Sequence, residues 1–161
     1  MEREFKIKGL MMDPVTNSPI VILQDLEQKT LLPIWVGVFE ANAIALQIER
    51  IDTPRPMTHD LLRNVFFQLH AEVEKVVVTD LKENTFYALI YIILEGENLT
   101  IDSRPSDAIA LALRTDAPIY VTEQVIESSQ NITMNAGDLK PKDVKEWLEN
   151  LSSDDLGKYK M

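Results

Sequence analysis

Apolar residues recur with a period of two in some stretches and with a helical period in others, and the order of these stretches predicts an α+β chain. Phe5 to Met12 and Pro19 to Leu23 are separated by Asp13-Pro14 and Thr16-Asn17-Ser18, which predicts two strands joined as a hairpin. Leu31 to Val36 continues with β-branched and aromatic residues as a third strand. Glu40 to Arg50 then sets Ala43, Ile44, Leu46, Gln47 and Ile48 in a helical pattern. That helix closes before Thr53-Pro54-Arg55-Pro56, because a residue preceding proline is steered out of the helical region. Thr58-His59-Asp60 offers side-chain acceptors for the orphan amides of a second helix, which Leu61, Leu62, Val65, Phe66 and Leu69 continue.

The second half runs through a similar order. Ala71 to Thr79 reads as a strand, Asp80 to Asn84 as a turn, Thr85 to Leu94 as a strand and Leu99 to Asp102 as a short one. Ser106 to Arg114 follows as a helix, Pro118 to Val121 as an extended piece, and a final helix begins within Glu123 to Glu127. Ala43-Ile44-Ala45-Leu46 recurs as Ala108-Ile109-Ala110-Leu111. At that same spacing Ile34 and Val36 meet Leu99 and Ile101. Together with the order of elements this predicts two β-β-β-α-α units, about 5–69 and 70–130, packed as one domain over residues 1–135. Residues 136–161 form a separate tail, in which Val144, Trp147, Leu148 and Leu151 predict a helix from Pro141 to Leu151 before a polar end.

Composition narrows the chemistry. The 161 residues suffice for one domain with a substantial core, and 45% hydrophobic against 26% charged residues is ordinary for a folded chain. There are no cysteines, which removes disulfides, thiolate nucleophiles and zinc-thiolate sites together. No apolar run reaches the length of a membrane span, and Met1-Glu-Arg-Glu-Phe-Lys lacks the features of a signal peptide, so the expected location is cytoplasmic, away from membranes. Sixteen basic residues against twenty-six acidic ones give a net charge of -10, and the basic residues form no stripe suited to duplex nucleic acid.

Two polar clusters carry the candidate chemistry. Thr53 to Asp60 holds Arg55, His59 and Asp60, and Asp102 to Asp107 holds Asp102, Ser103, Arg104, Ser106 and Asp107 in front of a helix. Glu40 opens a helix of mainly small and apolar residues and joins the candidate site. Aspartates of this kind can hold a divalent cation, a histidine can relay a proton, and arginines can grip phosphate through a bidentate fork. A structural role is open for each. Ser103 or Ser106 can cap a helix, Asp60 and Asp107 suit a first helical turn, and Arg55 or Arg104 can pair internally with Asp102, Asp107 or Glu40. Trp35 reads as core or subunit contact rather than a stacking platform, and His70 as a residue outside the chemistry.

Three separated motifs bring a resemblance. Leu32-Pro-Ile-Trp-Val-Gly37 with Glu40-Ala41, Pro54-Arg-Pro-Met-Thr-His-Asp-Leu61, and Asp102-Ser-Arg-Pro-Ser-Asp-Ala-Ile-Ala-Leu-Ala112 together resemble the bifunctional nuclease domain family over about residues 5–130. The resemblance implies a duplicated β3-α2 fold with one barrel-like mixed sheet and packed helices, assembly into homo-oligomers, and hydrolysis of RNA and DNA. Carried onto this chain, it gives a metal-assisted hydrolysis with single-stranded RNA or DNA as the expected substrate. Asp102 and Asp107, with Glu40 or Asp60, would bind Mg²⁺ or Mn²⁺. His59, Asp60, Glu40 and Asp107 form the catalytic group, with His59 assisting proton transfer, and Arg55, Arg104 and Ser103 would hold phosphate. Two alternatives stand beside it: a non-catalytic oligomeric module that binds a small ligand or a protein partner, and a regulator that contacts a nucleic-acid enzyme.

Overall fold

The structure, a computed structural model, describes residues 1–135. The helix expected from Pro141 lies outside the described residues, as does the rest of the 136–161 tail. The chain runs β1 (Glu2–Met12), β2 (Pro19–Asp25), β3 (Leu31–Trp35), α1 (Val38–Ile48), α2 (Thr58–Gln68), β4 (Glu72–Lys82), β5 (Thr85–Leu94), β6 (Glu97–Ser103), α3 (Pro105–Thr115), β7 (Ile119–Thr122) and α4 (Glu123–Asn135).

The seven strands form one mixed sheet in the order β3-β2-β1-β7-β4-β5-β6. Hairpins build each half: β1 pairs antiparallel with β2 and β2 with β3, while β4 pairs with β5 and β5 with β6. The β4–β5 connection is tighter than the five-residue turn expected. Asp80 to Lys82 stay in the strand, and Glu83 and Asn84 alone make the turn, both at positive φ, the conformation that matches the twist of the flanking strands. β7 joins the halves, antiparallel to β1 and parallel to β4, and its Ile119 and Val121 are buried.

The sheet is open, which corrects the barrel-like closure implied by the resemblance. β3 and β6 stand at opposite ends of the strand order. β3 is five residues long and contains Pro33, a residue that sheets tolerate at edges because it cannot donate to a further ladder. β6 is exposed along almost its whole length.

One face of the sheet is covered by α1, α3 and α4. Phe5, Leu23, Ile34, Val76 and Ile90 meet Ile44, Ile109 and Ile126 in a continuous core. α3 is buried nearly all round and α1 buries Ala41 and the Ala43–Leu46 run while its first turn is exposed, and the alanines let the two helices pack closely together. The helices start 67 residues apart, while the repeated Ala-Ile-Ala-Leu segments lie 65 apart, so that segment falls two residues earlier in α3 than in α1. α2 is different: none of its residues is buried, and it rests on α3 through Leu62 and Phe66.

Candidate functional site

Three helix starts converge on the candidate residues. α1, α2 and α3 follow Gly37, Met57 and Arg104 as N-caps, and each carries a carboxylate three residues later: Glu40, Asp60 and Asp107. An acidic residue in a first turn is favoured by the helix dipole, which explains the placement locally. The tertiary partners then separate the three.

Asp107 is the hub. Its Oδ1 lies 2.8 Å from His59 Nε2, and its Oδ2 accepts a hydrogen bond of 2.9 Å from Arg104 Nε. Arg104 also donates from Nη2 to Glu40 Oε1 at 2.7 Å, so one guanidinium bridges two carboxylates. Burial alone would raise the Asp107 carboxyl, but the bonds and charges of His59 and Arg104 outweigh it and hold the group below its ordinary value. An ionised carboxylate can only accept, so His59 carries its proton on Nε2 and leaves Nδ1 as the basic nitrogen of the neutral ring. The His59 side chain is 13% exposed and that of Arg104 65%, so the histidine is held while the guanidinium edge faces solvent. Gly37 makes room for this arrangement, because the carboxylate of Glu40 folds back to where a Cβ at position 37 would stand.

Asp60 faces elsewhere. Its Oδ2 accepts from the Met57 backbone N–H at 3.0 Å, closing the start of α2, and its Oδ1 accepts from Arg114 Nε at 2.7 Å. Burial pushes this carboxyl up, and the Met57 and Arg114 bonds with the charges of Arg114 and Arg63 bring it below its ordinary value. Arg55 lies apart from Arg104, in a pocket that Asp60 and Arg114 also line. Ser103 Oγ donates to the Arg104 carbonyl at 2.8 Å, and Asp102 sits exposed on β6 opposite Leu89. The structure thus gathers Glu40, His59, Arg104 and Asp107 and leaves Asp60, Arg55, Ser103 and Asp102 outside that group. Trp35 is an exposed residue whose Nε1 donates to Asp13 Oδ2, and His70 adopts positive φ just beyond α2.

The arrangement does not fit a resident divalent cation. Among the described residues no three His, Asp or Glu side chains come together as a ligand set. Both oxygens of Asp107 are engaged, and Arg104 occupies the position between the two carboxylates that a cation would take.

The sequence model of the bifunctional nuclease domain family matches residues 21–133 of this chain. The chain belongs to the bifunctional nuclease domain family. An uncharacterized protein of Mycobacterium tuberculosis is 36% identical over 163 aligned residues, covering 95% of this chain and 97% of that protein. Bifunctional nuclease 1 of Oryza sativa subsp. japonica is 26% identical over 70% of this chain, and Bifunctional nuclease 2 of Arabidopsis thaliana is 26% identical over 76%. The match spans 35% of the rice protein and 38% of the Arabidopsis one. The four gathered side chains all fall within the part matched by the family.

Arg114 is the residue that sequence reasoning missed. It is buried, and besides Asp60 it donates to the carbonyls of Ala110 and Ala43 at 2.9 Å each, tying α3 to α1 and α2. A signal was present: an arginine seven residues after Asp107 sits on the same side of a helix whose other residues are small or apolar. Among the described residues no helix is long and apolar enough to cross a membrane.

Proposed function

We propose that this protein hydrolyses phosphodiester bonds of single-stranded RNA and DNA at the group formed by His59, Asp107, Arg104 and Glu40. The observation that carries the reading is the 2.8 Å contact of His59 with an ionised Asp107, which directs the basic Nδ1 of the ring away from the carboxylate. In this reading Nδ1 takes a proton from an attacking water, a new P–O bond forms, the ester P–O bond breaks, and the leaving oxygen takes a proton from solvent while the ring later returns its own to bulk water. Arg104 keeps Nη1 outside its two carboxylate bonds and offers it to a non-bridging phosphate oxygen. Water as the nucleophile needs no ribose 2′-hydroxyl, so one site serves both polymers.

The group carries two carboxylates against one guanidinium, a residual negative charge that repels phosphate. Mg²⁺ or Mn²⁺ enters the proposal as an ion arriving with the substrate, where it would supply charge neutralisation. Self-association and a duplicated origin of the two halves belong to the same reading; the sheet order, which mirrors about β7, supports the latter.

The test uses purified full-length chain, labelled single-stranded RNA and DNA, and Mg²⁺, Mn²⁺ or chelator, beside His59→Ala and Asp107→Ala prepared identically. Cleavage by the wild type that falls at least about 100-fold in both variants is the expected result. Equal cleavage by all three forms refutes the site. No cleavage by any form favours a binding module, in which the same ion pairs only hold the helix starts together.

A further inference from the structure

On the other side of the α2 start, a pocket of about 370 Å³ opens between α1, the 51–57 segment and α2. Small-molecule sites run from roughly 300 to 1,000 Å³, so this one suits a ligand of mononucleotide size rather than an oligonucleotide. Its lining combines an apolar part, including Leu46, Ile51 and Pro54, with three arginines against two aspartates. In a chain of net charge -10 that local excess of positive charge stands out.

The arginines differ in how far they are already used. Arg114 is neutralised by Asp60 and has its remaining donors on backbone carbonyls. Among the described residues Arg63 donates only from Nε, to Asn64 Oδ1. Arg55 has no side-chain partner among the described residues and is exposed at the rim. Its backbone is nonetheless held, since Thr53 Oγ1 donates to the Arg55 carbonyl at 2.7 Å and prolines flank it on both sides. Proline fixes one backbone angle at each flank, so the free guanidinium sits on a stiff turn.

We infer that this pocket binds a nucleoside monophosphate, with Arg55 and Arg63 on the phosphate and the apolar wall against the base. Two planar forks suit a terminal phosphate, which presents three oxygens, better than a diester bridge inside a polymer. Asp52, also in the lining, would accept from ribose hydroxyls. The site is independent of the hydrolysis proposed above, and a chain with no nuclease activity would bind equally.

The test is calorimetric titration of the full chain with AMP, adenosine and inorganic phosphate, repeated on Arg55→Gln/Arg63→Gln. Both arginines are exposed, so the double variant is expected to fold, and its circular dichroism and melting temperature check this. AMP is expected to bind the wild type at least 10-fold more tightly than either adenosine or phosphate, and to lose at least 10-fold in the variant. His59→Ala is expected to bind AMP like the wild type. Absence of AMP binding at millimolar concentration, or equal binding by a folded double variant, overturns the inference. Phosphate binding as tightly as AMP overturns the nucleotide assignment.

Discussion

Removing Asp60 should destabilise the chain more than removing Asp60 and Arg114 together. The side chain of Arg114 is 2% exposed, and Asp60 is the carboxylate that compensates its charge, at 2.7 Å. Asp60→Ala leaves that guanidinium uncompensated and also strips the Met57 N–H of its acceptor. Breaking a buried pair from one side costs about 3–5 kcal/mol. Arg114→Met removes the charge itself with a side chain that keeps much of the buried length. Ala110 and Ala43 keep their helical surroundings, and Asp60, 20% exposed, keeps Met57 and reaches solvent. The double variant Asp60→Ala/Arg114→Met leaves no buried charge and gives up the bonds to the Met57 N–H and to the Ala110 and Ala43 carbonyls, so it should lose only about 1–2 kcal/mol, the scale of a few net hydrogen bonds. Urea unfolding of the full-length wild type, both single variants and the double variant at pH 7 yields the coupling directly. A double variant as unstable as the sum of its singles, or an Asp60→Ala loss below about 1 kcal/mol, would refute the reasoning. The same pair sets a pH signature. The folded-state pKa of Asp60 lies below its unfolded value of 3.8, so the unfolded chain takes up the proton first. Its contribution is complete above that value and drains away as pH falls through the folded value, and Asp60→Ala should lack this acid limb.

Other perturbations separate chemistry from stability. Gly37→Ala should keep the fold, since Gly37 has φ of -73°, yet push the Glu40 carboxylate off Arg104; cleavage should fall about 10-fold with little change in melting temperature. Arg104→Lys keeps a charge but loses the fork that spans Glu40 and Asp107, so cleavage should fall by about 10-fold or more while stability, measured in urea, shifts by under about 1 kcal/mol. Asp107→Asn should lower cleavage by about 10²- to 10⁴-fold. It should also flatten the acid side of the stability curve, because the depressed Asp107 carboxyl contributes above its unfolded value and loses that contribution as pH falls.

The local elements were legible where a segment carries its own pattern. β5 spans Thr85–Leu94 as its dense Tyr and Ile run predicts, and α2 begins at Thr58 as its acceptors predict. Long-range pairing was not legible. β7 is four residues long, and nothing in Ile119-Tyr-Val-Thr122 says that it enters the middle of the sheet beside β1 and β4. The expected five-residue turn after Thr79 became two residues because β5 pairs as far out as Thr85 with Lys82, and that pairing decides where β4 ends.

The site was legible in residue types and not in partners, and the reason is geometric. His59 and Asp60 are neighbours in α2, so their side chains leave the helix about 100° apart. They meet α3 at Asp107 and at Arg114, seven residues apart on one face, or about 10 Å along the axis. The crossing of α2 over α3 thus sends one residue to the half-buried Asp107 at the start of α3 and its neighbour to a buried arginine two turns on. The same acidic position in three helices therefore has different chemistry: Glu40 and Asp107 share an exposed guanidinium, while Asp60 is committed to a buried one. A motif read along the chain treats His59-Asp60 as a unit. The packing divides it into a residue held against Asp107 and a residue that ties its helix to Arg114.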